Sequence, residues 1–319
     1  MKNILMLSAG TRNLIIQYLR KELNGEGKII AADCDHLAPA LYEADEYFLI
    51  PRITDSNYFS TVLRICKDEN ISGIFSMIDP ELSVLAQHEK EFAENGVMVL
   101  GSPKDVCELT INKYEFYLWM RDHGYNCARS YSNLTAFLED RAKALIDFPV
   151  FVKPYNGSAS AEVSVVEDED MLRLLCLRHP HLMIQEYLKG QEIGADCYVD
   201  IISKKTVSIF TKKKILMRAG ETDKSVSFKD PKLFTLISQF NKDLGVVAQL
   251  DIDLFDCGGT YYFSEVNPRF GGGYPHAYEC GANHIRMMLN NLEGIENPCV
   301  IGQYEENKYM MKYGEVKII

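Results

Sequence analysis

The first hundred residues alternate short apolar runs with amphipathic segments, and this alternation restricts the fold more than any other feature of the chain. Residues 4–7, 29–32, 47–50, 73–77 and 97–100 read as buried strands. Between them, Leu14, Ile15, Tyr18 and Leu19 recur at helical spacing, and residues 58–67 read as a helix capped by Asp55 or Ser56. Repeated strand–helix alternation predicts a parallel sheet covered on both faces. Ser8-Ala9-Gly10-Thr11-Arg12 follows the first strand but lacks GxGxxG spacing, so it predicts a tight turn rather than a dinucleotide site. The helix N-terminus there could still hold a substrate anion. Asp79 and Glu81 lie just past a strand end, where open sheets bind ligands, and they suit a simple helix start equally well. Gly101-Ser102-Pro103 breaks the pattern and sets a boundary, giving a first domain over residues 1–104.

Beyond the boundary the pattern changes. Helices are expected over 112–123, 134–145 and 231–244. Strands over 148–153, 182–187, 193–202 and 207–216 follow, the last three with an antiparallel look. Residues 246–255 and 260–266 form a hairpin around Cys257-Gly258-Gly259. Strands and helices mixed in this way give an α+β domain over 105–319.

Composition excludes several classes. The 319 residues carry 45 acidic and 34 basic side chains, a net charge of −11, which argues against nonspecific nucleic-acid binding. Nine cysteines are scattered with no CxxC pair, as expected of reduced thiols in a cytoplasmic protein rather than of a disulfide framework or a structural zinc site. Cys34 and Cys280 have no neighbouring partner for nucleophilic work and read as structural. The apolar run before Gly10 suits a strand rather than a signal peptide, and no stretch approaches the roughly 18 apolar residues of a membrane span.

Three motifs carry chemistry. The strongest is Asp251-Ile252-Asp253 with Ser264-Glu265-Val266-Asn267-Pro268-Arg269. Residues two apart on a strand share a face, so pairing across the Gly258-Gly259 turn brings Asp253 towards Glu265 and Asn267. Two carboxylates and an amide oxygen make a hard oxygen site suited to Mg²⁺ carrying nucleotide phosphates, with Arg269 as a cation beside it. A solvated polar hairpin is the plain alternative. The second motif is a strand ending in Lys153-Pro154, followed by Tyr155-Asn156-Gly157-Ser158-Ala159-Ser160, whose small residues can aim amides and hydroxyls at phosphate. Alone, a lysine at a strand end such as Lys153 is more often a surface lysine. The third is the apolar strand that runs through Gln185, Glu186 and Leu188 to Glu192, able to present backbone edges to adenine and a carboxylate to ribose.

In this order the motifs resemble the ATP-grasp superfamily, and most closely the stand-alone ligases similar to one synthetase unit of the carbamoyl phosphate synthetase large chain. The resemblance covers essentially the whole chain. It implies a Rossmann-like parallel-sheet domain followed by a two-lobed α+β grasp domain, with a lid lobe over about 105–181 and a metal and nucleotide lobe over about 182–319. It implies an ATP- and Mg²⁺-dependent ligase, with Mn²⁺ as a substitute, that joins a small carboxylate to an amine or thiol through an acyl phosphate. By the same resemblance, Lys113 and Lys153 meet the nucleotide phosphates, with Ser158 and Ser160 in the phosphate loop. Gln185, Glu186 and Leu188 read adenine, and Glu192 binds ribose. Asp253, Glu265 and Asn267 hold the metal, and Arg269 steadies the transferred phosphate. Arg218 falls where a substrate or phosphate contact is placed, and Gly272 and His276 are candidate substrate contacts. Small-molecule partners, no membrane, no nucleic acid and compatibility with a homodimer complete the expectation. One departure stands out: the phosphate loop has a single glycine, Gly157, and Glu162 occupies a position where relatives carry glycine. A phosphotransferase, or a regulatory nucleotide-binding module without turnover, are the rival readings.

Overall fold

A computed structural model describes residues 2–155, 164–179 and 181–319. Five parallel strands open the chain: β1 (Asn3–Leu7), β2 (Ile29–Asp33), β3 (Glu46–Leu49), β4 (Ile71–Ser76) and β5 (Met98–Val99), in the order β3-β2-β1-β4-β5. Helices α1 (Asn13–Leu23), α2 (Tyr58–Asp68), α3 (Asp79–Gln87) and α4 (Glu89–Glu94) connect them. Ile4, Leu5, Met6 and Leu7 are all fully buried, because neighbouring residues of β1 face opposite layers and both layers are apolar. The start of α2 differs from expectation. Asn57 is the capping position without a side-chain cap, and Asp55 instead accepts the Asn57 amide one turn earlier.

Helices α5 (Lys104–Ile111) and α6 (Lys113–Asp122) lead on, with α5 absent from the sequence reading. A four-stranded antiparallel sheet follows, built from β6 (Ser130–Tyr131), β7 (Val150–Pro154), β8 (Ser164–Val166) and β9 (Leu182–Glu186) in the order β6-β9-β7-β8. Helices α7 (Leu134–Ala142) and α8 (Glu169–Arg178) join its strands, and Phe137 and Leu172 from these helices pack with Val150, Val152 and Ile184 in a small separate core.

The third sheet is the largest. It comprises β10 (Gln191–Val199), β11 (Thr206–Arg218), β12 (Glu221–Phe228), β13 (Ala248–Asp256), β14 (Tyr261–Asn267) and β15 (Tyr309–Met311), in the order β14-β13-β10-β11-β12-β15. All its pairings are antiparallel. Helix α9 (Pro231–Leu244) separates β12 from β13, and α10 (Tyr274–Glu279) and α11 (His284–Leu292) follow β14. One apolar core runs without a break from Ile4, Met6 and Phe75 of the first sheet to Phe270, Tyr274 and Ile285. Phe75 meets Phe270 edge-on at 6.0 Å, and Tyr18 of α1 stacks on Tyr278 of α10 at 3.8 Å. Ser102 ties the segment between the halves to β13, donating to the Val247 carbonyl at 2.8 Å and accepting its amide at 3.1 Å. Among the described residues, no helix is long and apolar enough to cross a membrane.

Candidate active site

A cleft of about 1060 Å³ opens where the three sheets meet. Its floor is the β13–β14 hairpin. Leu250, Ile252 and Leu254 alternate into the core, so Asp251 and Asp253 must face the cleft. The register pairs Asp253 with Glu265 and Asp251 with Asn267, and all four line the cleft. The expected trio of Asp253, Glu265 and Asn267 therefore comes together as hard oxygen donors on one surface. Among the described residues, no three His, Cys, Asp or Glu side chains cluster for a metal, and the expected trio offers two carboxylates and an amide oxygen.

Four cations face these acids. Lys153, at the end of β7, is only 7% exposed; burial lowers its pKa, and Glu265 and Asp253 partly offset that effect. The Asn112 side chain caps α6 by accepting the Tyr114 and Glu115 amides, which fixes Lys113 on the first turn with its Nζ 3.7 Å from Glu265 Oε1. Lys214 on β11 places its Nζ 2.8 Å from Glu192 Oε1 and 2.7 Å from Asp253 Oδ1. Burial works against the Lys214 charge, but Asp253 and Glu192 more than reverse it and raise the pKa. Arg269 donates from Nε to Asp79 Oδ2 at 3.1 Å and from Nη1 to the Phe270 carbonyl at 3.1 Å. Burial disfavours this guanidinium too, and Asp79 with Asp251 outweighs it. Asp79 comes from the first sheet, just past β4, and its Oδ1 is buried without a hydrogen bond among the described residues. Arg12, just past β1, also lines the cleft. Strands β1 and β4 are neighbours at the point where the strand order reverses, which is where open α/β sheets bind ligands.

Steric need explains the triple glycine. A methyl group on Gly271 would stand 2.4–2.7 Å from the Asp251 carboxyl atoms; on Gly272, 2.6 Å from the Glu221 carboxylate; on Gly273, 2.7 Å from Lys212 Nζ. Backbone thus lies directly on a layer of charge. Asp251, inside that layer, is pushed up to about 7 by desolvation and the neighbouring Asp253.

Past β9, residues 187–189 carry no backbone hydrogen bond among the described residues, and Leu188 lines the cleft with Gln185 and Glu186. Gln185 Nε2 donates to Ser130 Oγ at 2.9 Å, and the Glu186 amide donates to the Arg129 carbonyl at 2.8 Å. The backbone edges left open among the described residues are therefore those of 187–189 rather than the Glu186 amide. Glu192 lines the same cleft.

Other expectations fall elsewhere. Arg218 is not a lining residue: its side chain is 74% exposed and pairs with Asp223 at 3.3 Å, because the Ala219-Gly220 turn points it outward while Glu221 turns in. His276 is neither a lining residue nor on the surface. It is buried, with Nδ1 2.8 Å from Ser225 Oγ and Nε2 3.0 Å from the Lys308 carbonyl. Gly272 does line the cleft. The turn after β1 keeps no open anion site at Gly10, whose amide donates to the Asp33 carboxylate at 2.9 Å. Glu81 is fully buried and hydrogen-bonded by Tyr58 and Ser76, a packing role. Ser158, Ser160 and Glu162 lie outside the described residues.

Lys212 and Lys214 were missed by sequence reading. Lys212 is fully buried and pairs with Asp196 on β10, opposite Gly194, where a methyl would stand 2.8 Å from the Lys212 side chain. The signal was present: in Lys212-Lys213-Lys214 the first and third share a face, and only Lys213 points to solvent.

Comparison with known proteins identifies the family. Residues 110–273 match the ATP-grasp domain family, and residues 4–100 match the PylC-like N-terminal domain family. The chain belongs to the ATP-grasp family. It is 25% identical over 305 residues to the multifunctional protein pyrABCN of Emericella nidulans, covering 86% of this chain but only 13% of that protein. It is 23% identical over 313 residues to a D-alanine–D-alanine ligase of Sulfurimonas denitrificans, covering 88% of this chain and 89% of that one. Among solved structures, the biotin carboxylase domain of the Hydrogenobacter thermophilus 2-oxoglutarate carboxylase, in complex with MgADP, ADP and bicarbonate, superposes with a TM-score of 0.74 at 15% identity, covering 97% of this chain and 73% of that chain. An L-amino acid ligase from Bacillus licheniformis gives 0.70 at 19% identity, covering 93% and 75%.

Proposed function

We propose that the protein is an ATP- and Mg²⁺-dependent ligase that joins a small carboxylic acid to an amine through an acyl phosphate. The observation that carries this reading is the register of β13 against β14, which sets Asp253 beside Glu265 and Asp251 beside Asn267 under a ring of four cations. Asp253, Glu265 and Asn267 would hold the magnesium. Bound there, the ion would neutralise charge on the nucleotide phosphates. Mn²⁺ is expected to substitute, since it takes the same oxygen donors.

The chain's own groups do the positioning. Lys153, Lys113 and Lys214 meet the phosphates from three sides, residues 187–189 offer backbone edges to adenine, and Glu192 offers a carboxylate to ribose. A substrate carboxylate oxygen attacks the γ-phosphorus, and the bond to the ADP oxygen breaks. The amine nitrogen then attacks the acyl carbon, phosphate leaves with the C–O bond electrons, and the nitrogen loses a proton. Arg269, oriented by Asp79, stabilises the phosphoryl oxygens through both steps. No nucleophilic side chain is required. The nine free thiols support a reducing, cytoplasmic setting, and the substrates are small molecules.

The test supplies ATP and Mg²⁺ with a panel of carboxylic acids and amines and follows phosphate release and product mass. ADP, phosphate and an amide are expected in equal amounts. ADP with a stable phosphoester and no free phosphate would make the protein a phosphotransferase instead.

A further inference from the structure

The cleft is lined by an ion pair that crosses between the two halves of the chain. Arg12 comes from the turn after β1 and Glu221 from the hairpin joining β11 to β12, and Arg12 Nη2 lies 2.5 Å from Glu221 Oε1. Lys312, just past β15, donates to the other carboxylate oxygen at 2.7 Å. Arg12 and Glu221 line the cleft, whereas Lys312 stands behind them. The backbone of Arg12 is fixed, since its amide donates to the Ala9 carbonyl and the Gly10 amide is held by Asp33, so only the side chain is free to swing. Burial disfavours the Glu221 charge, but Arg12 and Lys312 outweigh it and hold the carboxyl at about 2. Glu221 also touches the backbone at Gly272, three residues after Arg269. Arg12, Glu221 and Arg269 therefore line one and the same cleft.

Conservation of charge pairing selects the ligand that fits here. Taking a cation from a partly buried ion pair is costly, and here it leaves Glu221 with Lys312 in place of two cations. A simple carboxylic acid entering beside Glu221 adds a second negative charge and takes Arg12 away from the first. A molecule with both an ammonium and a carboxylate separates the pair without loss: its ammonium replaces Arg12 at Glu221, and its carboxylate lies between Arg12 and Arg269. Resting on the ligase reading above, we propose that the acid activated at this site is an amino acid, with Glu221 receiving its ammonium group and Arg12 turning to its carboxylate.

The experiment uses the full chain with ATP and Mg²⁺, and hydroxylamine as a common acceptor, so that any acyl phosphate is trapped as a hydroxamate. Matched acids differing only in the amine are compared: alanine with propionate, and glutamate with glutarate. For at least one pair the amino acid should exceed its partner by about 10²-fold or more in kcat/KM, because a site built for a charged group is left unpaired by the analogue lacking it. Glu221→Gln should raise the KM for that amino acid by about 10- to 100-fold while the KM for ATP stays put. Equal turnover within every pair that reacts, or an unchanged amino-acid KM in a folded Glu221→Gln protein, overturns the inference and leaves the ligase reading standing. Phosphate and hydroxamate from no acid at all, with ATP still binding by calorimetry, overturns both. The wild-type comparison holds whether or not the variant folds.

Discussion

The five-stranded parallel sheet and the six-stranded antiparallel sheet solve the same packing problem differently. The first gives both faces to hydrocarbon, so that β1 is buried along its whole length. The second gives one face to the core and lays charge on the other. Lys212 and Lys214 on β11 lie beside Asp196 and Glu192 on β10, and Asp251 and Asp253 follow on β13. An apolar face would have been the cheaper way to build such a sheet, since desolvated ions cost more than they return unless each is well paired. A sheet that accepts this cost marks where the molecule handles charge.

The contrast can be broken most sharply at its centre. Lys212→Ala leaves Asp196 buried without its direct ion-pair partner, and about 3–5 kcal/mol of stability should be lost in urea titration. A loss smaller than that of a conservative change in the first sheet would show that the charged face is not a stability liability. Glu265→Gln keeps size and removes a charge, so turnover should fall about 10²- to 10³-fold with little change in melting temperature. Near wild-type turnover would remove the metal assignment.

Acid should separate the sheets next. Burial lowers His276 from 6.5 to about 4 and His284 from 6.5 to about 3. Both pKa values are depressed in the folded protein, so below pH 6.5 the unfolded chain takes up protons that the folded one refuses. Stability is then lost progressively as pH falls towards 4 and 3. At pH 5 the loss is on the order of 2 kcal/mol for each histidine. Denaturation midpoints at pH 7 and pH 5 measure it, and a flat profile would contradict the burial of both rings. The smallest effect belongs to Ile74→Val in the first sheet, about 1 kcal/mol with unchanged turnover.

Legibility in the sequence follows the same division. Strands β1 to β4 were readable because apolar runs bounded by turn residues admit few other structures. The β13–β14 hairpin was readable because Asp253, Glu265 and Asn267 are polar where a strand interior should not be. Lys212 and Lys214 were hidden, since a lysine run in isolation means a solvated surface, and only the partner strand reveals Asp196 and the space left by Gly194. His276 misled for the complementary reason: its partners, Ser225 and the Lys308 carbonyl, lie 51 and 32 residues away, so nothing local signals burial. Arg218 and Glu221 were exchanged by a two-residue turn. Positive φ at Ala219 and Gly220 directs one side chain outward and the other into the cleft, and the sequence does not mark which.

The continuous core from Ile4 and Phe75 to Phe270 and Ile285 also bears on cooperativity. Two units that only touch melt independently, each with its own heat-absorption peak. Here the hydrocarbon that stabilises the parallel sheet is supplied partly by α10 and α11, some two hundred residues further along the chain. Neither half is a complete thermodynamic object, and differential scanning calorimetry should record one endotherm whose calorimetric and van't Hoff enthalpies agree. Residues 1–104 made separately would turn the Ile4, Met6 and Phe75 layer towards water, and the fragment should aggregate rather than melt.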